Sequence, residues 1–357
     1  MTTVIQLLGP STGGIRVHVG ELTRRLRASG IDARVAAPAG AMGPAGTIDD
    51  VVAVPERLSL NGWWAARRAL GSVRGDLIHA HGLKAGWVAI AARPRRPVVL
   101  TLHNIALGSE ARGSRVLGVL ERFLIRRVDR VIAPSPPIAA MCDGLVDRSK
   151  ISVIIPVSPP PRPRQPRDDV RTSLGAVEGE RLVVVVARLH PQKDLPTFLD
   201  AFAKVASERA DVRAAIVGEG PLEAELATRI DSLGLRRRVR LAGPSDYAVD
   251  ELDAADVVAL TSLWEAIPLV VTEAMQLGRP VVATDVGIVS TVIEDRVDGR
   301  VVPVGDVDAV AEALSDVLSR DDLEEMGRRA RTAVTALVDP ARLTDDVRAV
   351  YDELLDR

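Results

Sequence analysis

Residues 3–37 read TVIQLLGPSTGGIRVHVGELTRRLRASGIDARVAA. The apolar run over 3–8 has the length of a buried strand, and the turn over 9–14 that follows contains three glycines. A helix is expected over 15–29, with Gly30 as its C-terminal stop. Residues 31–37 then form a second strand. A strand, a crossover helix and a second strand make a parallel pair, so the expected fold class is α/β with a doubly wound sheet.

The same alternation continues outward. Residues 38–58 read as a loop with one short strand. Helices are expected over 60–73, 84–92 and 114–128, and strands over 77–79, 97–102, 130–133 and 151–154. The pattern then breaks at residues 156–166, PVSPPPRPRQP. Six prolines in eleven residues fit neither a helix nor a central strand and predict a stiff, extended linker. Beyond it the pattern restarts. Strands are expected over 182–187, 214–217, 239–241, 257–260 and 281–283, and helices over 195–207, 222–233, 306–337 (two) and 342–355. Two Rossmann-like domains, 1–160 and 167–340, therefore flank the linker, with the last helix, 341–357, expected back on the first. Ligand should bind where the carboxyl ends of the two sheets face each other.

A length of 357 residues agrees with two domains. Aromatic residues are only 3% of the chain, so Val, Leu, Ala and Ile must fill the core, as they do around buried parallel strands. The single cysteine, Cys142, permits neither an intrachain disulfide nor a zinc cluster. The opening MTTVIQLLGPS lacks a basic segment, and no stretch has the roughly 18 apolar residues of a membrane span. A cytoplasmic protein is expected. Charge is divided unevenly: residues 1–165 hold 23 Lys and Arg against 11 Asp and Glu, net +12, and the remainder is net −14. Either the first half meets something anionic, or its arginines are simply solvated.

Polar residues at strand ends supply the candidate site. Residues 262–275, SLWEAIPLVVTEAM, place Glu265 before a helix opened by Pro268 and Glu273 within it. The free N–H groups and positive dipole end of such a helix suit a phosphate or a sugar hydroxyl. A glutamate on the first turns can reach back to that mouth and accept from vicinal hydroxyls. Arg188 and Lys193, in ARLHPQKD, follow the first strand of the second domain and could neutralise a diphosphate. Gly13 and Gly14 allow close approach of an anion, and Gly218 and Gly220, in GEGP, allow approach of a flat base. Taken alone, Gly13 and Gly14 read better as an ordinary tight turn, and GEGP reads equally well as one. His103 ends the strand PVVLTL at the crevice side, and His79 and His81 end the one before. A His-x-His pair can bind metal, but no acidic third ligand is spaced nearby. Asp306 and Asp308 open a helix and read as caps, and Ser135 has no histidine spaced to activate it. Residues 114–128 carry Arg115, Arg122, Arg126 and Arg127 beside apolar positions at helical spacing. That helix either rests on an anionic membrane or packs into the core with an arginine face outward.

These motifs together resemble the retaining glycosyltransferases of family 4, which have the two-domain GT-B fold. The likeness runs over nearly the whole chain: the turn and helix STGGIRVHVGELTRRLRASG, the strand end TLHN, ARLHPQKD, Glu265-x7-Glu273 and ATDVG. The chain departs from the family pattern at Asn104, at Asp194 and Ala266 where glycine is usual, and at Ile288 and Thr291. The resemblance implies transfer of a hexosyl group from a nucleotide-diphosphate sugar, without a metal or other cofactor and with no nucleic acid partner. Gly13 and Gly14 would meet the distal phosphate, Arg188 and Lys193 the diphosphate, and Glu273 the ribose. Glu265 and the backbone of Ala266, Ile267, Pro268 and Leu269 would meet the transferred sugar, with His103 contacting it too. The resemblance does not identify the acceptor; the basic amphipathic pattern over 114–128 points to a lipid-linked or anionic one, with peripheral contact at the inner face of the plasma membrane. A nucleotide-sugar epimerase of the same fold ranks lower, because the five histidines do not cluster in the sequence. A non-catalytic sugar-nucleotide binder is the third reading.

Overall fold

The computed structural model describes residues 2–10, 14–43, 46–55, 59–92, 96–103, 115–156, 159–245 and 247–356. The chain divides into two compact units, Met1–Pro159 with Asp339–Arg357, and Pro160–Val338.

Unit 1 begins with β1 (Thr3–Leu8), α1 (Gly14–Ala28), β2 (Asp32–Ala37), β3 (Asp50–Val51), α2 (Leu60–Ser72) and β4 (Leu77–His81). It continues with α3 (Leu83–Ala91), β5 (Val98–Thr101), α4 (Arg115–Arg127), β6 (Arg130–Ala133), α5 (Pro136–Met141) and β7 (Ile151–Val153). Its seven strands are parallel, in the order β3-β2-β1-β4-β5-β6-β7. The order reverses between β1 and β4, so this sheet's switch point lies there.

Unit 2 comprises α6 (Arg167–Ser173), β8 (Arg181–Val186), α7 (Leu195–Glu208), β9 (Val212–Val217), α8 (Glu223–Ser232), β10 (Val239–Gly243) and α9 (Val249–Ala254). It continues through β11 (Val257–Leu260), α10 (Leu269–Gln276), β12 (Val281–Thr284), α11 (Val289–Val292), β13 (Gly299–Val302), α12 (Val307–Leu318) and α13 (Leu323–Leu337). The six strands are parallel in the order β10-β9-β8-β11-β12-β13, with the switch point between β8 and β11. Val183, Val185 and Ile216 of the sheet meet Phe198 and Phe202 of α7 and Leu314 of α12 in one buried core. Both units are thus Rossmann-like, as the sequence pattern implies.

The chain ends in α14 (Pro340–Leu355), whose Tyr351 is buried in unit 1 and accepts a hydrogen bond from Gln6 Nε2 of β1 at 2.9 Å. This helix starts at Pro340 rather than two residues later. Proline needs no N–H in a first turn, and Asp339 caps the end by accepting from Ala341 N–H at 2.8 Å. The short α6 was not foreseen; Arg167 and Arg171 hold it to Asp256.

The proline segment is not a free spacer over its second half. The Tyr247 hydroxyl donates to the Arg162 carbonyl at 2.8 Å, and the Arg164 guanidinium lies 3.6 Å from the Tyr247 ring centroid. Asp250 accepts from the backbone N–H groups of Arg164 and Gln165. Those contacts bind residues 162–165 to unit 2.

Candidate functional site

In unit 2 the site forms around the switch point, from the loops after β8 and β11. Two glycines explain the path of the first loop. The Gly218 and Gly220 backbones lie in the positive-φ region, and a Cβ there would fall 1.8 Å from the Ala187 carbonyl oxygen and 2.4 Å from that of Leu189. Glycine is required because the two chains touch backbone to backbone. These turns therefore have a structural duty of their own, whatever else binds there.

The loop carries Arg188, exposed, with its Nη2 3.4 Å from Gln192 Oε1. Gln192 is buried and donates to the Trp264 carbonyl at 2.9 Å, while Leu263 N–H donates to the Gln192 carbonyl at 2.8 Å. Thr261 Oγ1 donates to the Lys193 and Asp194 carbonyls, both at 3.1 Å. The two loops are therefore stitched together, and their charged side chains meet. Lys193 Nζ is ion-paired with Glu265 Oε1, with side-chain exposures of 15% and 10%, and Ser262 Oγ donates to the same oxygen at 2.8 Å. Lys193 is thus not an isolated surface cation. Its ammonium has further protons to offer while Glu265 holds it in place.

Asp194 stands where a glycine was expected, and its backbone shows why. It adopts φ 44°, ψ 47°, the left-handed conformation, and its side chain does not cap α7. Aspartate tolerates this region better than most residues, at about 1 kcal/mol. Asp194→Gly is accordingly expected to keep the thermal midpoint or to stabilise the protein by up to about 1 kcal/mol. Thermal unfolding of the variant checks this, and a clear loss of stability would contradict it.

Pro268 is the N-cap of α10 rather than its first residue, and no side chain caps that end. Glu273 lies in the second turn, half-buried, on a helix whose side chains lean toward the N-terminus. Gly287 (φ 62°) brings the loop after β12 against this segment, where a Cβ would fall 2.6 Å from the Ala266 carbonyl oxygen. Ile288 is fully buried at φ −108°, so a core side chain occupies the place of the usual second glycine.

In unit 1, Gly14 is the first residue of α1, where helix N–H groups have no intrahelical acceptor. Gly13 and Asn104 lie outside the described residues. His79 and His81 are within β4, not beyond it, and both are buried, as is His103. The register explains their meeting. Gln6 pairs with His79, and Thr101 with His81. Alternate residues share a face, so Gln6, His79, His81, Thr101 and His103 all belong to one side of the sheet. His18 of α1 joins them, 5.7 Å from His103 ring to ring. Four of the five histidines therefore cluster, contrary to the expectation from their scatter in the sequence. The histidines therefore no longer tell against an epimerase. The rings hydrogen-bond to their neighbours, and no group of three or more His, Cys, Asp or Glu among the described residues is placed to hold a metal ion. Burial, reinforced by neighbouring rings, pushes all three basicities down: His79 to about 3, His81 and His103 well below the usual histidine range.

Helix α4 packs one face into the core and exposes apolar side chains among its arginines on the other. Leu124 and Ile125, with Val128 just beyond the helix, are buried, while Val119, Leu120 and Phe123 are exposed beside Arg122, Arg126 and Arg127. Among the described residues no helix is long and apolar enough to cross a membrane.

Comparison with known proteins agrees with this organisation. A family model described as Glycosyltransferase Family 4 matches residues 12–156, and one described as Glycosyl transferases group 1 matches 166–333. The chain is 31% identical over 372 residues to a D-inositol 3-phosphate glycosyltransferase of Gordonia bronchialis, covering 89% of this chain and 79% of that protein. It is 31% identical over 261 residues to its Mycolicibacterium smegmatis namesake, covering 69% of this chain but only 60% of that one. It is 28% identical over 294 residues to the UDP-Gal:alpha-D-GlcNAc-diphosphoundecaprenol alpha-1,3-galactosyltransferase of Escherichia coli, covering 78% and 76%. Among solved structures, Anabaena Alr3699/HepE in complex with UDP and glucose superposes with a TM-score of 0.87 at 22% identity, over 99% of this chain and 100% of that one. At that identity the likeness speaks for the fold alone.

Proposed function

We propose a donor, a stereochemical course and an acceptor class for this chain, which belongs to glycosyltransferase family 4, the group 1 glycosyl transferases. It moves a hexosyl group from a UDP- or GDP-linked sugar to a lipid-linked or anionic acceptor such as a cell-envelope glycan precursor, with retention of configuration. The observation that carries the reading is the Lys193–Glu265 pair at the unit 2 switch point, with Arg188 on the same loop. Negative charge grows on the leaving diphosphate as the glycosidic bond breaks. Two cations held there stabilise that charge more in the transition state than in the ground state. On unit 2 the family resemblance assigns Glu273 to the ribose and Glu265 to the sugar; on unit 1 it assigns Gly14 N–H to the distal phosphate and His103 to the sugar. No carboxylate is assigned as a covalent nucleophile. Instead the acceptor hydroxyl attacks the face that the diphosphate leaves, the phosphate oxygen taking its proton. The UDP-Gal donor and the undecaprenol-linked acceptor named for the E. coli relative support the donor and acceptor classes.

An exposed surface of unit 1 that mixes apolar side chains with arginines supports a lipid-linked acceptor. Helix α3 packs against α2 and α4. Leu60, Trp64, Val119, Leu120 and Phe123 are exposed on α2 and α4, with Arg67 stacked over Trp64 and Arg127 over Phe123. Apolar side chains interleaved with arginines suit an anionic lipid surface.

The test is incubation with radiolabelled UDP- and GDP-hexoses, with and without vesicles of cell lipid extract. Nucleoside diphosphate should appear together with labelled lipid, and anionic vesicles should sediment the protein more than neutral ones. Tight binding without turnover would sink the enzymatic reading. Sugar interconversion without release would identify an epimerase, and equal sedimentation would remove the membrane surface.

A further inference from the structure

Six buried polar groups of unit 1, Thr101, His79, Tyr351, Gln6, His81 and His103, form a single directed chain. His79 Nε2 is 2.6 Å from Thr101 Oγ1, and His79 Nδ1 is 2.6 Å from the Tyr351 hydroxyl. Gln6 Nε2 donates to that hydroxyl at 2.9 Å, so Tyr351 donates its own proton to His79. Gln6 Oε1 can only accept, and His81 Nε2 lies 2.8 Å from it; His81 Nε2 therefore carries a proton. A neutral ring has one N–H, which leaves His81 Nδ1 as an acceptor. The atom 3.2 Å away is His103 Nε2, which must donate. Burial keeps the Tyr351 phenol protonated and the three rings neutral, so the sense of the chain holds.

We propose that Gln6, His81 and Tyr351 are positioning residues that hold His103 as the Nε2–H tautomer, with Nδ1 as a bare acceptor for a hydroxyl of the transferred sugar. The functional part rests on the reading that His103 meets that sugar; the tautomer does not. The tautomer matters because the opposite one would present a donor, which selects a different partner or orientation. Tyr351 touches neither His81 nor His103, yet it is coupled to both through Gln6, whose Nε2 it holds. A residue of the last helix thereby belongs to the network that ends on a ring after β5.

Long-range proton–nitrogen spectra of ring-labelled histidine test this on the intact protein. His79, His81 and His103 should each carry the proton on Nε2. In Gln6→Leu, His81 and His103 should become tautomer mixtures, with kcat falling about tenfold and the donor KM changing less. Tyr351→Phe should show the same mixing, through release of the Gln6 amide, and serves if Gln6→Leu fails to fold. A wild-type His103 protonated on Nδ1, or tautomers unmoved in the folded variants, would overturn the proposal. Mixed tautomers with unchanged kcat would remove the positioning role. Wild-type protein that turns over no nucleotide sugar would remove the catalytic reading while the tautomer result still stood.

Discussion

Lys193→Met is expected to slow sugar transfer by a factor of about a hundred to a thousand, the usual effect of removing one preorganised group facing developing negative charge. Most of that loss should be in kcat, because the ammonium matters most once the diphosphate is leaving. Lys193 is also structural. It is paired with Glu265 in a largely buried setting, and removing one partner of such a pair leaves a stranded charge at a cost of roughly 3 kcal/mol. The double variant Lys193→Met with Glu265→Gln separates the two effects. It should recover most of the lost thermal stability and none of the lost turnover, a non-additivity expected of groups in contact. Steady-state kinetics with the competent nucleotide sugar and thermal unfolding of Lys193→Met, Glu265→Gln and the double variant are the measurements. Transfer by Lys193→Met within threefold of wild type would remove Lys193 from the mechanism.

The second large effect is acid lability. In the folded protein the rings of His79, His81 and His103 stay neutral below the pH at which free histidine takes a proton, about 6.5. The unfolded chain regains that ordinary value. Above pH 6.5 neither state binds the protons and nothing is lost. Below it the unfolded state binds more, so stability falls as pH falls, until the folded rings titrate in turn. His79, depressed to about 3, contributes a loss of up to roughly 4–5 kcal/mol by that pH. With three such rings the slope near pH 5 approaches about 4 kcal/mol per pH unit. Acid denaturation through lost carboxylate pairs adds to this only at lower pH, near the carboxylate values. Urea unfolding at pH 7.5, 6.5, 5.5 and 5.0 checks the expectation. Stability unchanged from pH 7 to pH 5 would contradict it.

What the sequence revealed and what it hid follow from the range of the interactions. Strand periodicity and the turn after Leu8 are local, so both sheets could be read directly. Arg188, Lys193 and Glu265 were legible in the sequence because they lie in the loops after β8 and β11, where a polar side chain follows an apolar run, and Glu273 because it is a carboxylate on the helix that comes next. Their pairing was not, because the Lys193–Glu265 contact depends on β8 and β11 being neighbours, which sequence order does not state. The histidine cluster needed more: the β1–β4–β5 register, α1, and a tyrosine 345 residues from its glutamine partner. One signal was available, since Gln6 interrupts the run TVIQLL. The anchoring of the proline segment depended likewise on Tyr247, 85 residues away from Arg162.

Unit 1 is assembled from two separated pieces of chain, and this sets an order on synthesis. Unit 2 is continuous, so all of its strands leave the ribosome before the segment that carries Tyr351. Until then Gln6 and His79, in the sheet of unit 1, lack the partner that satisfies them. Of the two units, the one whose synthesis starts first is therefore completed second, with α1 and β4 left open until α14 arrives.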